Sequence, residues 1–239
     1  DASAVHTLTA GIDSVVGGSG ADTVNAGVTA AGVQTLNTLD GLNGGAGTDS
    51  LNASISANVT PASQAIEVYN VAGTAASTLN MVGSTGVTTI NNTGSTALLT
   101  VSNIDGDSVL TLSNTDAGGT FGFLAADVAG TADAKTITLS DVSGGTVNMG
   151  TGVETLNVVS GGSANTIAAL TTSATTLNIS GSAALTITAA TGELTQTTID
   201  ASNATGAITL QSDATTASTI TGGSGNDSIT ADGSTDIIE

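Results

Sequence analysis

The sequence predicts an all-β protein built as a parallel β-solenoid or β-helix, and three observations support this fold class. Strong helix formers such as Glu, Lys, Gln and Arg are nearly absent, whereas Val, Ile and Thr are abundant. Short segments that alternate apolar and polar residues recur along the chain, each bounded by Gly, Ser, Thr, Asn or Asp. These segments follow one another at a nearly constant interval, as expected of stacked turns.

The interval between apolar positions favours a solenoid over other β architectures. The repeated Thr-Leu-Asn and Thr-Ile-Thr cores would stack like residues on like, with apolar ladders inside and Thr and Asn ladders outside. A β-sandwich or barrel is the alternative, but sandwich strands are usually more varied and richer in aromatic residues than the 1% found here. Two series of residues show the interval of 10 or 11: Val68, Leu79 and Ile90, and then Leu156, Ile167, Leu177 and Ile187.

The charge balance restricts the partners that the chain can have. The net charge is -19, with 20 acidic residues against a single Lys, Lys135, and a single His, His6. Nucleic acids and anionic membrane surfaces are therefore not expected as partners, because binding them requires Lys and Arg. Such a chain repels itself unless divalent cations neutralise it. The sequence has no Cys for disulfides or thiolate sites, and no apolar run approaches the roughly 18 residues of a membrane-spanning helix.

The residues needed for catalysis are too sparse to predict an enzyme, so we expect no catalytic residue. His6 stands alone, so it can neither serve a nucleophile–base arrangement nor join a histidine metal site. Paired carboxylates that cleave sugars usually work beside aromatic platforms, which are missing here. Lys135 begins the segment KTITLSD and is expected to be a solvated charge or the partner of a nearby acid.

Three nine-residue segments share the pattern Gly-Gly-x-Gly-x-Asp-x-U-x, where U is apolar: 17–25, 44–52 and 222–230. Glycine permits the backbone conformations of a tight turn, which aims backbone carbonyls inward, and the Asp adds a carboxylate. Ca²⁺ takes six to eight such hard oxygens. The predicted calcium ligands and turn residues are Gly17, Gly18, Gly20 and Asp22, then Gly44, Gly45, Gly47 and Asp49, and finally Gly222, Gly223, Gly225 and Asp227.

These segments resemble the calcium-binding nonapeptide of the RTX family. The wider sequence resembles RTX-type bacterial surface-layer proteins, because the nonapeptides are scattered in an Ala/Thr/Ser/Gly-rich chain with the phrases AIEVYNV (65–71) and GVETLNVV (152–159). The resemblance implies RTX β-roll turns near both ends of the solenoid. It also implies type I secretion to the cell surface and Ca²⁺-dependent assembly of the chain with itself into a lattice.

The nine-residue register extends beyond the three full copies. It adds Asp13, Asp40 and Asp236 as candidate ligands, and the apolar positions Val15, Val24, Val33, Leu42 and Leu51 step by nine. In the β-roll of the family two nonapeptides make one turn, so repeats 18 residues apart, such as those of Asp22 and Asp40, are expected on one side. The alternative is that residues 26–38 form a looped insertion, since their turn chemistry is poor.

The expected organisation is an RTX segment at 1–55, a Thr/Gly/Asn-rich solenoid at 56–217 and a second RTX segment at 218–239. Glu67 and Glu154 occupy matching places and are expected to be outward residues or ligands of a further ion. Asp105 and Asp107 could hold calcium, although Asp-Gly is also a common turn. The expected function is that of an extracellular surface-layer protein, with cell-surface polysaccharide as a further candidate partner outside these residues. The alternatives are the stalk of an RTX adhesin and the RTX domain of a larger secreted protein.

Overall fold

The computed structural model describes residues 2–188, 194–213, 215–232 and 235–239. The chain folds into two compact units, one of Asp1–Leu110 with Phe121–Leu124 and the other of Thr111–Thr120 with Ala125–Glu239. The strands β12 (Val109–Thr115) and β13 (Gly118–Phe123) contribute residues to both units. The division at residues 55/56 and 217/218 rests on repeat content, and it stays a prediction.

Unit one is made of short parallel strands in three sheets, because each turn places one strand in each successive sheet. A 3₁₀ helix, Met81–Gly83, joins β8 to β9. The first sheet contains β1 (Val5–Thr7), β3 (Thr23–Ala26), β5 (Ser50–Ile55), β7 (Val68–Gly73) and β10 (Thr89–Thr93), the second β2 (Ser14–Val16), β4 (Gly41–Asn43), β6 (Ala62–Gln64) and β9 (Ser84–Thr85), and the third β8 (Ser77–Asn80) and β11 (Leu99–Ile104).

Unit two repeats this parallel architecture and contains a 3₁₀ helix, Ala125–Val128. No helix in the described part of the chain is long and apolar enough to cross a membrane. The first sheet of this unit contains β14 (Ala134–Val142), β16 (Thr155–Gly161), β19 (Thr176–Gly181), β21 (Thr198–Ala204), β23 (Thr219–Thr221) and β25 (Ile237–Ile238), the second β15 (Thr146–Asn148) and β18 (Ala169–Thr171) beside β13, and the third β17 (Asn165–Ile167), β20 (Leu185–Ile187), β22 (Ile208–Gln211) and β24 (Ser228–Thr230).

Columns of apolar side chains fill the interior, one residue from each turn. In unit two, β16, β19, β21 and β23 align fully buried Leu and Ile residues in one column: Leu156, Leu177, Ile199 and Ile220. In unit one, Tyr69 rather than its neighbour Val68 takes the core position, aligned with Leu51 and Ile90. Its hydroxyl lies 2.6 Å from that of Ser63 and 3.0 Å from that of Ser84, which satisfies a polar group in an apolar core. The predicted all-β parallel solenoid is confirmed.

Asparagine side chains form a ladder on the outer face of the first sheet. In unit one each Asn amide donates to the amide oxygen one turn earlier, at 2.9–3.0 Å, in the order Asn91, Asn70, Asn52 and Asn25. In unit two the Asn178 amide donates to Asn157 at 2.8 Å. The ladder fixes the register, because shifting one strand by a single residue would replace Asn by a core residue. The expectation of Asn outside and Leu or Ile inside is therefore confirmed.

The second turn of unit one is longer than its neighbours. Hydrogen bonds between equivalent residues step by 18 residues from Ala4 to Asp22, by 27 from Asp22 to Asp49 and by 18 from Asp49 to Glu67. The additional residues leave the stack as a small hairpin closed by an antiparallel bridge between Val28 and Gln34. Of the two interpretations of residues 26–38, the looped insertion is correct. Val33, which the nine-residue register placed in the core, is 49% exposed.

Candidate calcium sites

The two nonapeptide loops of unit one lie directly on each other at the edge where the chain enters the first sheet. The Gly17 N–H donates to the Asn43 carbonyl at 2.8 Å, and the Ala46 N–H donates to the Gly18 carbonyl at 2.8 Å. A Cβ at Gly47 would stand 2.6 Å from the Gly20 carbonyl oxygen, and φ at Gly47 is +126°. The close stacking of the two backbones therefore requires the glycines of the motif.

Acidic residues form a column along the same edge. The Asp22 N–H donates to Asp49 Oδ1 at 2.6 Å, and the Asp49 N–H donates to Glu67 Oε2 at 2.8 Å. Asp22 and Asp49 are only 2% and 1% exposed. Because adjacent strands are about 4.8 Å apart, carboxylates stacked in this way repel each other unless a cation lies between them.

The sites pair Asp22 with Asp49, whereas Asp40 lies at the opposite edge with Asp13. The Asp13 N–H donates to Asp40 Oδ1 at 2.9 Å, and the Asn37 N–H donates to Asp40 Oδ2 at 2.7 Å. Asp40 is 1% exposed, and Asp13 is half-buried. The expectation that Asp22 and Asp40 share a side is wrong, because the hairpin changes the 18-residue step to 27. At this second edge the carboxylates cap backbone N–H groups in corners that lack the Gly-Gly pattern.

The second carboxylate oxygen distinguishes the three loops. In two of them the N–H of the second glycine donates to it at 2.7 Å, from Gly18 to Asp22 and from Gly223 to Asp227. The bond from Gly18, together with one from the Ala4 N–H, holds the pKa of Asp22 below its ordinary value. In the loop 44–49 the Gly45 N–H donates to Asn43 Oδ1 instead, at 3.0 Å. Asp49 Oδ2 is thus buried with no hydrogen-bond partner among the described residues.

The oxygens at the first glycine of each loop in unit one suit a calcium ion. A Cβ at Gly17 would stand 2.5 Å from Asp22 Oδ2 and collide with the Gly44 carbonyl oxygen of the next turn. A Cβ at Gly44 would stand 2.5 Å from Asp49 Oδ2 and collide with the Ala65 carbonyl oxygen. Each position thus brings one carboxylate and one carbonyl oxygen together, and both are ligands that Ca²⁺ prefers. The residues described contain no group of three His, Cys, Asp or Glu side chains placed to hold an ion.

In unit two the predicted ligands occupy two different corners. The loop of Gly222, Gly223, Gly225 and Asp227 precedes β24 of the third sheet, and Asp227 Oδ1 accepts the Ile208 N–H at 2.9 Å. Asp236 precedes β25 of the first sheet, where it accepts the Ser218 N–H at 2.8 Å and the Ser212 hydroxyl at 2.6 Å. Asp227 and Asp236 are both half-buried. The described residues of the next turn place no carbonyl within 4 Å of a Cβ at Gly222.

Glu67 and Glu154 have equivalent positions. Glu154 Oε2 accepts the Asp133 N–H at 2.8 Å, just as Glu67 accepts that of Asp49, and both Glu residues are half-buried. Their matching phrases pair the two Glu residues in the sequence, but these phrases do not show that Glu67 continues the column of acids. A Glu that follows a nonapeptide by about one turn is the signal that could have shown it.

The remaining candidates have the following contacts in the described part of the chain, and a calcium site at Asp105 and Asp107 stays a prediction. Asp105 Oδ1 accepts the Asp107 N–H at 3.2 Å and the Asp105 carbonyl accepts the Ser108 N–H at 3.0 Å, which is a polar turn. His6 points inward, aligned with Val24, and its Nε2 is buried without a hydrogen-bond partner among these residues. Lys135 is half-buried at an inward position aligned with Leu156. Its expected role as a solvated charge or as the partner of a nearby acid stays a prediction.

Comparison with known proteins identifies the nonapeptides. The family of the RTX calcium-binding nonapeptide repeat, in four copies, matches residues 8–28 and 215–239. These repeats bind calcium, and proteins that carry them are typically secreted. The loop 44–49 lies outside the matched residues, although its spacing and its place in the stack are those of the motif. Neither the curated proteins nor the solved structures give a significant match.

Proposed function

We propose that this chain is a structural, calcium-stabilised part of a bacterial surface layer that assembles with itself into a lattice on the cell. The observation that carries the proposal is the buried acidic column, in which Asp49 Oδ2 has no hydrogen-bond partner among the described residues. A buried carboxylate without compensation is strongly unfavourable, and a cation at that place removes the penalty. The scattered nonapeptides and the phrases at 65–71 and 152–159 support the surface-layer role over other secreted roles.

Calcium binding would couple folding to export. Stacking the turns brings buried carboxylates together, so the folded state is stabilised when Ca²⁺ binds to it and not to the unfolded chain. In a cytoplasm with little free Ca²⁺ the chain stays loose enough for secretion, and outside the cell Ca²⁺ orders it. Ca²⁺ would also reduce the repulsion between copies that each carry a net charge of -19.

Circular dichroism and sedimentation with and without millimolar Ca²⁺ test the proposal. We expect Ca²⁺ to increase the β signal and to produce large ordered assemblies, and a chelator to reverse both. Full structure and assembly in excess chelator would contradict the proposal. Ordering by Ca²⁺ without self-association would instead favour the stalk of an adhesin or the RTX domain of a larger protein, both of which are compatible with the nonapeptide match.

A further inference from the structure

We infer that the corner formed by Ala65 and Glu67, which carries no nonapeptide, is the second half of a cation site whose first half is the loop 44–49. The inference rests on the proposed calcium binding and extends it to residues outside the repeat. It predicts that one complete nonapeptide is sufficient to form a cation site when the next turn supplies a carboxylate and a carbonyl oxygen at equivalent places.

The position of the unpartnered oxygen is the first argument. Asp49 Oδ1 faces the preceding turn, where it accepts the Asp22 N–H at 2.6 Å. Asp49 Oδ2 lies against the α-carbon of Gly44, and the Ala65 carbonyl oxygen lies against the same α-carbon from the following turn. Two acceptors therefore converge on one place without a donor from the described residues between them, and Asp49 is 1% exposed. A cation at this place would satisfy both oxygens.

The equivalence of successive turns is the second argument. The Gly44 carbonyl lies against Gly17 of the preceding turn, and the Ala65 carbonyl lies against Gly44 in the same way. The third turn has no nonapeptide loop, and Ala65 takes the place of the first glycine of such a loop. Glu67 takes the place of the next Asp, because its Oε2 accepts the Asp49 N–H as Asp49 Oδ1 accepts that of Asp22. φ at Ala65 is +51°, a conformation that Ala rarely adopts, which turns the short corner onto the loop.

The negative charge of Glu67 is the third argument, because it supplies a second carboxylate for the cation site. Asp49 and Glu67 place two carboxylates in adjacent turns of one edge, and Glu67 is half-buried. Without a cation the two carboxylates repel each other. A bound Ca²⁺ would be coordinated by both carboxylates and by the Ala65 carbonyl oxygen, and water can complete the coordination. The unit-two pair of Asp133 and Glu154 has the same N–H contact, at 2.8 Å. In that pair no buried carboxylate oxygen lacks a hydrogen-bond partner among the described residues, so it provides the control.

The experiment compares Glu67→Gln with Glu154→Gln in the full chain. Each Gln keeps an oxygen that can accept the N–H of the Asp one turn earlier, so only the charge is lost. Calcium titrated calorimetrically should bind to Glu67→Gln with one site weakened at least about tenfold or lost, whereas Glu154→Gln should bind like the unchanged protein. Asp49→Asn, in which an amide replaces the carboxylate, should lose the same site and serves if Glu67→Gln does not fold.

Terbium luminescence locates the loss. Tyr69 is the only tyrosine in a chain without tryptophan, and it follows Glu67 by two residues. Tb³⁺ bound at the corner should therefore emit when Tyr69 is excited, and Glu67→Gln should lose most of this emission while Glu154→Gln keeps it. Unchanged calcium binding and emission in both Glu67→Gln and Asp49→Asn would overturn the inference and leave calcium binding elsewhere intact. No calcium binding by the unchanged protein would overturn the inference together with the proposed function.

Discussion

At the scale of single residues, glycine and aspartate determine the calcium loops in different ways. Gly45 and Gly47 have φ of +95° and +126°, and a side chain on either would strike the backbone of the loop below. Aspartates at the corners accept backbone N–H groups that the strands leave unpaired, so they stabilise the turns even without an ion.

Gly47→Ala should destabilise the protein, because a methyl group would meet the Gly20 carbonyl oxygen at 2.6 Å in a backbone conformation that Ala rarely adopts. We expect a loss of about 1–3 kcal/mol in the free energy of unfolding, measured by urea denaturation in Ca²⁺. Gly27→Ala is the control, since no atom lies within 4 Å of its added Cβ. Equal stability of the two variants would show that the stacked loops are looser than described.

Asp141 should make the stability of unit two depend on pH. Hydrogen bonds from the side chain and N–H of Ser163 and from the Ser140 hydroxyl hold the pKa of Asp141 below its ordinary value. A depressed pKa gives stability that is complete above the unfolded value of about 3.9 and is lost as the pH falls through the lower folded value.

The variant Asp141→Asn tests this dependence, because Asn also tolerates the φ of +58° at this position. We expect its Tm to lie below that of the unchanged protein at pH 7, and the difference to vanish as the pH falls through the lowered pKa. A difference in Tm that stays constant down to pH 2 would show that the charge of Asp141 contributes nothing.

At the scale of elements, the hairpin within residues 27–35 is an addition to a regular turn. The N–H and the hydroxyl of Thr35 both donate to the Gly27 carbonyl, at 3.0 and 2.9 Å, so the chain returns to the point where it left. Gln34 Oε1 links the hairpin to the next turn, because it accepts hydrogen bonds from the Ser56 and Ala57 N–H groups at 2.7 and 3.0 Å.

Excision of residues 27–35, joining Ala26 to Leu36, should therefore keep the fold and restore the 18-residue step. We expect an unchanged β signal in circular dichroism and a modest drop in Tm, because the two hydrogen bonds from Ser56 and Ala57 of the next turn, worth about 0.5–1.5 kcal/mol each, are lost. An excision of equal length across β5 should unfold unit one, since Leu51 and Ile55 are fully buried there. A shortened chain that fails to fold would mean that the hairpin is needed for folding.

Much of the fold was predictable from the sequence, because strands in a stack must repeat their inward and outward residues. The apolar interval and the Thr-Leu-Asn cores predicted the columns of Leu177 and the ladder of Asn178. The length of the second turn was not predictable from the sequence, because Val33 fits the nine-residue step although it is exposed in the hairpin. The position of Glu67 in the acidic column depends on which turns are adjacent in space, and only its spacing of 18 residues from Asp49 indicates this in the sequence.

At the scale of the whole molecule, we expect the net charge of -19 to make the stability of the protein depend on Ca²⁺. We expect the Tm, measured by calorimetry at pH 7, to rise steeply with Ca²⁺. Each site contributes about 2.7 kcal/mol when Ca²⁺ exceeds its Kd a hundredfold. Mg²⁺ should raise the Tm much less, because it requires a tighter octahedral arrangement than stacked carbonyls provide. Equal effects of Mg²⁺, Ca²⁺ and matched NaCl would reduce the response to simple screening.

The hairpin that leaves and rejoins the second turn at Gly27 and Thr35 also suits this chain to carry an inserted peptide. Its tip between Thr29 and Val33 is solvent-exposed and takes no part in the Asn ladder or the calcium loops. A foreign peptide spliced into that tip would be displayed on a rigid parallel scaffold. If the chain forms a lattice, every copy would present the same epitope at the spacing of the array.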